Sequence, residues 1–216
     1  YASTKANSEA DLIIAAGVRF SDRATGNKSR YTQNAKVIHI DIDPAEIDKN
    51  ISAYFGLIGD IKSVLTLLLA KLEKQTHTQW MDKIQQMRIQ EGIHFVKDGV
   101  MHPKDIIEKV MEYTNADTVV ATDVGQHQMW VAQYYKFKKP RTYLTSGGLG
   151  TMGFGMGAAI GGCFASGCKK TVLFTGDGSF GMNLNEMATA VTNNLPLVII
   201  IFNNGVLGMV RQWQNT

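Results

Sequence analysis

The sequence has little cysteine and no dense run of one charge, and each shortage excludes a class of protein. Its two cysteines, Cys163 and Cys168, are too few for the disulfide framework of a small secreted protein, and their spacing is not that of a metal-binding knuckle. We interpret both as small core residues. The net charge of +3 is spread along the chain, so neither a nucleic acid nor an anionic membrane surface is predicted as a partner.

Long apolar segments are also missing from the sequence. The longest apolar stretch near the end, LPLVIIIF, is far shorter than the roughly 20 residues that cross a bilayer, and no basic, then apolar leader opens the chain. The expectation is therefore a cytoplasmic protein. Because the chain starts without methionine and stops just after a predicted strand, we expect it to be a piece of a longer protein.

The residues that are present are those of a folded α/β protein. A chain of 216 residues with 44% hydrophobic content can form one large domain or two small ones. The runs ADLIIAAG and AKVIHIDID predict buried strands, and the apolar spacing of DIKSVLTLLLAKLEK predicts an amphipathic helix capped by Asp60. The polar, weakly apolar stretch that follows suits a linker over residues 76–100.

Strands and helices alternate again after this linker. Strands are predicted at DTVVATDVG, RTYLTS, TVLFTGD and PLVIIIFNN, and helices at HPKDIIEKVMEYT, QHQMWVAQYY, FGMGAAIGGCFAS and NLNEMATAVTNN. This order predicts an α/β protein with two doubly wound parallel-sheet domains, in residues 1–75 and 101–216. Ligands bind outside the carboxyl ends of such strands, and there the sequence reads DVGQH, SGG, GDG and NN.

One motif at this edge fits a dinucleotide. GLGTMG, residues 148–153, follows a predicted strand and opens a helix, as a dinucleotide fingerprint does. Asp177 would then hold a ribose hydroxyl, and the helix that begins near Gly153 would receive a pyrophosphate. A glycine-rich turn that lets a helix pack on the sheet explains the same pattern.

A metal site uses more of the polar residues at this edge. If the strands that end near Asp177 and Asn204 are neighbours, one carboxylate and one amide oxygen point to a common position. Mg²⁺ prefers such oxygen ligands in octahedral geometry, with substrate phosphates completing the shell. The backbone carbonyl of Val206 could be a third ligand, Gly178 would let phosphates approach closely, and Ser179 would offer a donor.

The spacing of Gly-Asp-Gly and Asn-Asn resembles the motif of thiamine diphosphate-dependent enzymes. DVGQHQMWVAQYY, LTSGGLGTMGFG and FNNGVLGMVRQWQ further resemble the catalytic subunits of acetolactate (acetohydroxyacid) synthases. GVRFSDRATG and VIHIDIDPAEIDKN resemble the central domain of the anabolic, FAD-containing members. The resemblance implies that residues 1–75 are the remainder of an FAD-type central domain and that residues 101–216 are a diphosphate-binding domain truncated at its end.

The resemblance also implies a reaction, cofactors and site residues. The family decarboxylates pyruvate and joins the two-carbon unit to a second 2-keto acid, pyruvate or 2-ketobutyrate, in branched-chain amino acid biosynthesis. It uses thiamine diphosphate and Mg²⁺, with FAD in a structural role. The implied cofactor residues are Gln126, His127, Gly150, Met152, Gly176, Asp177, Gly178, Ser179, Asn204, Val206, Gly208 and Met209, and for FAD Arg19, Asp41 and Asp60. Asp177, Asn204 and Val206 would be the metal ligands.

Three residues are implied to act on the substrates. Arg23 would hold the carboxylate of the second keto acid, a bidentate task suited to arginine, while Trp213 would line the pocket for its side chain and Met209 would lie beside the cofactor. A homodimer or homotetramer is also implied, with a regulatory small subunit as a further implied partner. The family's activating glutamate lies in a domain missing from this sequence, so the chain alone is expected to be inactive.

Some departures and alternatives remain. Met156 and Gly157 stand where the family usually has Leu-Pro, and Ser21 replaces an aspartate beside Asp22 and Arg23. Another thiamine diphosphate enzyme, of the glyoxylate carboligase or pyruvate oxidase type, is the alternative within the class. A non-enzymatic dinucleotide-binding module that uses GLGTMG is the alternative from another class.

Overall fold

The computed structural model describes residues 2–90 and 99–215. The described residues form two compact units, one on each side of the gap between residues 90 and 99. Each unit is an α/β structure built on a parallel sheet. Over these described ranges, no helix has both the length and the apolar character needed to cross a membrane.

The first unit contains a three-stranded parallel sheet in the order β1-β2-β3. Its elements are α1 (Ala2–Glu9), β1 (Leu12–Ala16), α2 (Asp22–Thr25), α3 (Lys28–Tyr31), β2 (Lys36–Asp41), a 3₁₀ turn (Pro44–Glu46), β3 (Phe55–Ile58), α4 (Ile61–Leu69) and α5 (Thr78–Gln90). A small core of Ala15, Phe20, Val37 and Ile51 lies beside the sheet.

The two predicted strands and the predicted cap in this unit are confirmed. The predicted burial of β1 is wrong, because Leu12 and Ile14 are 48% and 53% exposed. One strand was missed. Asp60 caps α4, since its Oδ1 accepts hydrogen bonds from the backbone N and the hydroxyl of Ser63, both at 2.9 Å. Strand β3 gave little signal because Phe55 and Ile58 are 59% and 63% exposed and Gly56 interrupts the run. It pairs with β2 nevertheless, with Asp41 opposite Ile58.

The predicted linker contains a helix that packs within the first unit. Helix α5 lies against α1, where Lys83 Nζ is 2.6 Å from Glu9 Oε2. The structure therefore places residues 78–90 with the first unit, while residues 91–98 lie outside the described residues. The extent of the linker, 76–100, stays a prediction.

The second unit contains a four-stranded parallel sheet in the order β5-β4-β6-β7. Its elements are α6 (Pro103–Glu112), β4 (Val119–Thr122), α7 (Gln126–Tyr134), β5 (Tyr143–Thr145), α8 (Phe154–Ala165), β6 (Thr171–Gly176), α9 (Asp177–Met182), a 3₁₀ turn (Leu184–Glu186), α10 (Met187–Thr192), β7 (Leu197–Phe202) and α11 (Gly208–Gln214).

Helices cover both faces of this sheet, as the predicted doubly wound class requires. Side chains alternate between the two faces of a strand. Val120 of β4 therefore joins Phe174 of β6 in a cluster with α6 and α7, whereas Ala121 joins Leu173 in a cluster with α8 and α10. Because both faces are buried, the strands are the continuous apolar runs that the sequence shows.

Two predictions for this unit need correction. Cys163 is fully buried as predicted, but Cys168 is exposed, because it follows the end of α8 in a left-handed conformation (φ 57°) outside the core. The helix predicted at NLNEMATAVTNN is divided. A 3₁₀ turn at Leu184–Glu186 precedes α10, which begins only at Met187.

Candidate cofactor-binding site

The candidate site lies at the carboxyl ends of β4, β6 and β7. Chain order in the sheet reverses between β4 and β6, since β5 lies on one side of β4 while β6 and β7 lie on the other. The loops that leave such a switch point diverge to opposite faces and leave a crevice between them. A cleft of about 690 Å³, its open mouth included, lies at this point.

All of the cofactor residues that the sequence predicted in the second unit line this one cleft. They are Gln126, His127, Gly150, Met152, Gly176, Asp177, Gly178, Ser179, Asn204, Val206, Gly208 and Met209. The sequence reasoning did not assign the remaining lining residues, which are Val124, Gly125, Trp130, Phe202, Leu207 and Val210. The structure thus brings together four separate segments of the chain.

Asp177 and Asn204 come from neighbouring strands, which was the condition for a shared metal. Strands β6 and β7 are paired in parallel with Gly176 opposite Phe202, so Asp177 and the asparagine pair leave the same edge side by side. The Asn204 side chain is exposed and shapes its own turn, its Oδ1 accepting a hydrogen bond from Val206 N at 3.2 Å. One carboxylate and neutral oxygens suit a hard cation that shares its shell with phosphate.

Clusters of three or more His, Cys, Asp or Glu side chains able to hold a metal do not occur among residues 2–90 and 99–215. The combination at this edge is of another kind, because an amide and a backbone carbonyl accompany the single carboxylate. Such a set binds a cation weakly unless a ligand supplies further charge.

His127 presents a buried nitrogen without a protein partner. The residue is 5% exposed, lines the cleft, and its Nε2 has no hydrogen-bond partner among the residues that the structure describes. Burial lowers the pKa of His127 below its ordinary value, although the nearby Asp123 and Asp177 carboxylates act in the opposite direction. The imidazole is therefore neutral near pH 7, and its Nε2 can bond to a group placed in the cleft.

Glycines open the floor of the cleft. A Cβ at Gly178 would lie 3.3 Å from Leu207 and 3.7 Å from Met152, whereas a Cβ at Gly150 would meet nothing within 4 Å. At Gly208, a Cβ would collide with the side-chain oxygen of Gln126. The backbone at Gly150 and Gly178 is therefore accessible to a ligand, and the close packing of Gly208 brings α11 against α7.

Two predicted donors already have partners inside the protein. The Ser179 hydroxyl donates to the carbonyl of Val124 at 3.2 Å, and the Gln126 amide donates to Gln212 Oε1 at 3.1 Å. The first bond ties α9 to the end of β4 and the second ties α7 to α11. Their side chains therefore position the walls of the cleft, and the predicted cofactor contacts at Gln126 and Ser179 stay predictions.

The start of α8 argues against the dinucleotide alternative. Asp123, 1% exposed, accepts hydrogen bonds from Gly153 N at 2.9 Å and from Gly155 N at 3.0 Å. A dinucleotide pyrophosphate needs these N–H groups, and it would be repelled by the carboxylate that holds them. GLGTMG therefore forms a turn whose final N–H group, at Gly153, is already bound by the Asp123 carboxylate of the protein.

Sequence reasoning missed Asp123 and Trp130. Asp123 was seen only as part of the strand end, although an acidic residue directly after a buried strand was a usable signal. Trp130 lines the cleft and packs edge-on against Phe202, with ring centroids 5.6 Å apart. Its position in the QHQMW segment, one helical turn after His127, could have identified it.

Comparison with known families decides between the remaining classes. Residues 123–216 match the thiamine pyrophosphate enzyme C-terminal TPP-binding domain, and residues 1–68 match the thiamine pyrophosphate enzyme central domain. Thiamine pyrophosphate is the same compound as thiamine diphosphate. The chain belongs to the thiamine pyrophosphate enzyme family.

Curated relatives agree with the family assignment. The chain is 45% identical over 224 residues to a probable acetolactate synthase large subunit of Methanocaldococcus jannaschii, covering 99% of this chain and 38% of that protein. It is 45% identical to an acetolactate synthase large subunit of Haemophilus influenzae, and the match covers 96% of this chain and 37% of that protein. It is 44% identical to acetolactate synthase 1, chloroplastic, of Nicotiana tabacum, and the match covers 95% of this chain and 32% of that protein. The chain thus spans between 32% and 38% of the length of these relatives.

The other predicted site residues of this family member lie outside the cleft lining. Trp213, on α11, is 76% exposed. Arg23 is exposed on α2 of the first unit, where its backbone N–H donates to Asp22 Oδ1 at 3.0 Å. Their predicted substrate contacts stay predictions.

The three predicted FAD residues lie at one edge of the first sheet. Arg19 follows β1, Asp41 ends β2, and Asp60 follows β3, so all are at carboxyl ends. Asp41 accepts a hydrogen bond from Asp43 N at 3.0 Å. Hydrogen bonds from Ser63 hold the pKa of Asp60 below its ordinary value. Both carboxylates retain lone pairs for a further donor such as a ribose hydroxyl.

Proposed function

We propose that the second unit holds thiamine diphosphate through Mg²⁺, and that the complete protein is an acetolactate synthase. The observation that carries the proposal is the arrangement of the cleft. Asp177 and Asn204 leave paired strands side by side, and the unpartnered Nε2 of His127 lies in the same cleft. Matches to both thiamine pyrophosphate enzyme domains support it.

The cation would be held by Asp177, by the Asn204 side-chain oxygen and by the Val206 carbonyl. Only Asp177 is charged in this set, so the cation keeps a net positive charge that attracts a diphosphate. Gly178, without a Cβ, lets the phosphates approach the backbone at the start of α9. The single negative charge of the protein would therefore be too little to hold the cation alone. Together with the charges of the diphosphate it would be enough.

The opposite wall would orient the cofactor. His127 is neutral near pH 7, so its Nε2 would bond to a polar group of the cofactor without adding a buried charge. Met152, in the turn before α8, would support the cofactor, and Trp130 would close the apolar side of the cleft. When bound, thiamine diphosphate supplies the reactive carbon for decarboxylation and carbon–carbon bond formation.

The finer features of the reaction extend the same proposal. The complete protein would decarboxylate pyruvate and condense the two-carbon unit with pyruvate or 2-ketobutyrate, with Arg23 binding the second carboxylate and Trp213 and Met209 lining its pocket. FAD would bind at Arg19, Asp41 and Asp60. The names of the relatives describe a large subunit, which supports a small regulatory partner. A cytoplasmic homodimer or homotetramer is part of the proposal.

Calorimetric titration of the protein tests the cofactor assignment. Thiamine diphosphate with Mg²⁺ should bind, and NAD should not, because Asp123 already holds the helix start that a dinucleotide would use. Asp177→Ala should abolish the Mg²⁺-dependent binding, since it removes the only charged ligand. Asp117→Ala is the matched control, because Asp117 is an exposed aspartate of the same unit that pairs with Lys139 at 2.7 Å. Unchanged affinity in Asp177→Ala would overturn the metal assignment.

A further inference from the structure

The Asp123 carboxylate connects two loops that face the cleft. Its Oδ1 accepts hydrogen bonds from Val124 N at 2.8 Å and Gly153 N at 2.9 Å, and its Oδ2 accepts one from Gly155 N at 3.0 Å. Val124 begins the loop that leads to Gln126 and His127. Gly153 ends the loop that carries Gly150 and Met152.

Burial makes these three bonds strong and their loss costly. Asp123 is 1% exposed, so losing its acceptor oxygens would leave buried N–H groups unsatisfied. Hydrogen bonds to an ionised carboxylate are about twice as strong as neutral ones. The carboxylate also lies at the N-terminal end of α8, where the helix dipole favours a negative charge.

Packing around Asp123 shows that the loop is fitted to it. A Cβ at Gly155 would lie 2.8 Å from Asp123 Oδ2, so a glycine is needed for the backbone N–H to reach the carboxylate. On the other side of the loop, Asn183 donates to the carbonyl of Gly153 at 2.6 Å, and the Ser146 hydroxyl accepts from Thr151 N at 3.1 Å. Asp123 is the one charged group among these anchors.

We propose that Asp123 is a positioning residue for the cofactor cleft. It holds the loop of Gly150 and Met152 at a fixed distance from the strand end that leads to His127, so that the two walls match the cofactor before it arrives. The inference rests on the proposed function, because the walls are matched to thiamine diphosphate. It concerns a residue that touches the walls of the cleft and is not itself among the cleft-lining residues.

Asp123→Asn tests this role in the complete natural protein. The variant keeps the size of the side chain but turns one acceptor into an N–H₂ group, which leaves Gly153 or Gly155 without an acceptor. An unsatisfied buried donor corresponds to roughly a tenfold to hundredfold loss in an equilibrium. Affinity for thiamine diphosphate with Mg²⁺, measured by calorimetry well below the unfolding midpoint, should fall by that factor. Asp117→Asn, at the exposed turn before the same strand, should leave it unchanged.

Hydrogen–deuterium exchange, read at single-residue level without cofactor, provides the second readout. In Asp123→Asn, exchange should rise by about tenfold or more at whichever of Gly153 and Gly155 loses its acceptor, and it should stay unchanged in β6. A general loss of stability would instead raise exchange throughout the second unit. If the variant does not fold, exchange in the unmodified protein decides: amides of Gly153 and Gly155 that exchange as fast as that of exposed Gly148 would overturn the proposal, and slow exchange supports it.

The outcomes separate the two proposals. If the unmodified protein does not bind thiamine diphosphate with Mg²⁺, the proposed function fails, and the positioning role fails with it. If the unmodified protein binds and Asp123→Asn binds equally well, only the positioning role of Asp123 is refuted.

Discussion

Helix α8 allows the same substitution, glycine to alanine, to be made where the structure predicts opposite results. Gly155 lies on the buried side, where a Cβ would be 2.8 Å from Asp123 Oδ2, 2.8 Å from Leu173 Cδ1 and 2.9 Å from Asp123 Cβ. Gly157 and Gly161 are exposed, and a Cβ there would meet nothing within 4 Å. We expect Gly155→Ala to destabilise the second unit and the other two changes to stabilise it.

The expected magnitudes follow from three contributions. Alanine is better than glycine in a helix interior by about 1 kcal/mol. Overpacking a filled site costs about 1–3 kcal/mol. Displacing the Asp123 carboxylate from its N–H partners costs about 1–3 kcal/mol more. Gly155→Ala should therefore lower the free energy of unfolding by about 1–5 kcal/mol, whereas Gly157→Ala and Gly161→Ala should raise it by up to about 1 kcal/mol.

Urea unfolding followed by circular dichroism measures these changes. The midpoint should shift down for Gly155→Ala and up for Gly157→Ala, with similar slopes. Gly162→Ala gives a second closely packed case, since a Cβ there would lie 2.5 Å from Leu144 Cδ1 and 3.0 Å from Val119 Cγ1. If Gly155→Ala proves as stable as Gly157→Ala, the close approach of α8 to Asp123 is not present in solution.

Two further predictions concern side chains of contrasting exposure. Burial raises the pKa of the Cys163 thiol, so at about pH 8 this thiol stays protonated and shielded. Iodoacetamide should therefore label only Cys168 in the native chain and both cysteines in urea. Detection of modified Cys163 in the native chain by mass spectrometry would contradict this. In the complete protein, Trp213→Leu should erode the preference for 2-ketobutyrate over pyruvate, because one methylene in an apolar pocket is worth about 1–3 kcal/mol, while Trp80→Leu in the first unit should not. A product ratio that stays constant while the total rate collapses would make Trp213 a packing residue.

Alternation of short apolar runs with helical patterns was enough to predict the fold class and most elements. Strands β4 and β6 are buried on both faces, so each is a run of β-branched and apolar residues that stands out from its surroundings. Strand β3 does not stand out, because Phe55 and Ile58 remain exposed and only pairing with β2 makes the segment a strand. Tertiary pairing of this kind leaves no periodic signal in the sequence.

The residues of the candidate site were predictable because they follow strand ends. The roles of some were not, because they depend on contacts between distant segments. Nothing in the sequence relates Asp123 to Gly155, which lie in different segments of the chain, or Gln126 to Gln212. The left-handed position of Cys168 likewise follows from how α8 ends and not from the identity of the residue.

The strand order has a consequence for how the protein is made. Strand β4 lies inside its sheet, but its neighbour on one side, β6, is synthesised much later. Val119 therefore cannot pair until Thr171 has been synthesised. Until then, one edge of β4 has unpaired backbone groups next to the apolar side chains of Val120 and Ala121. Non-local parallel pairing is slow, and such an edge is prone to aggregate. A ribosome that pauses between α8 and β6 would therefore expose the nascent chain at its most vulnerable stage, and chaperone binding should be greatest there.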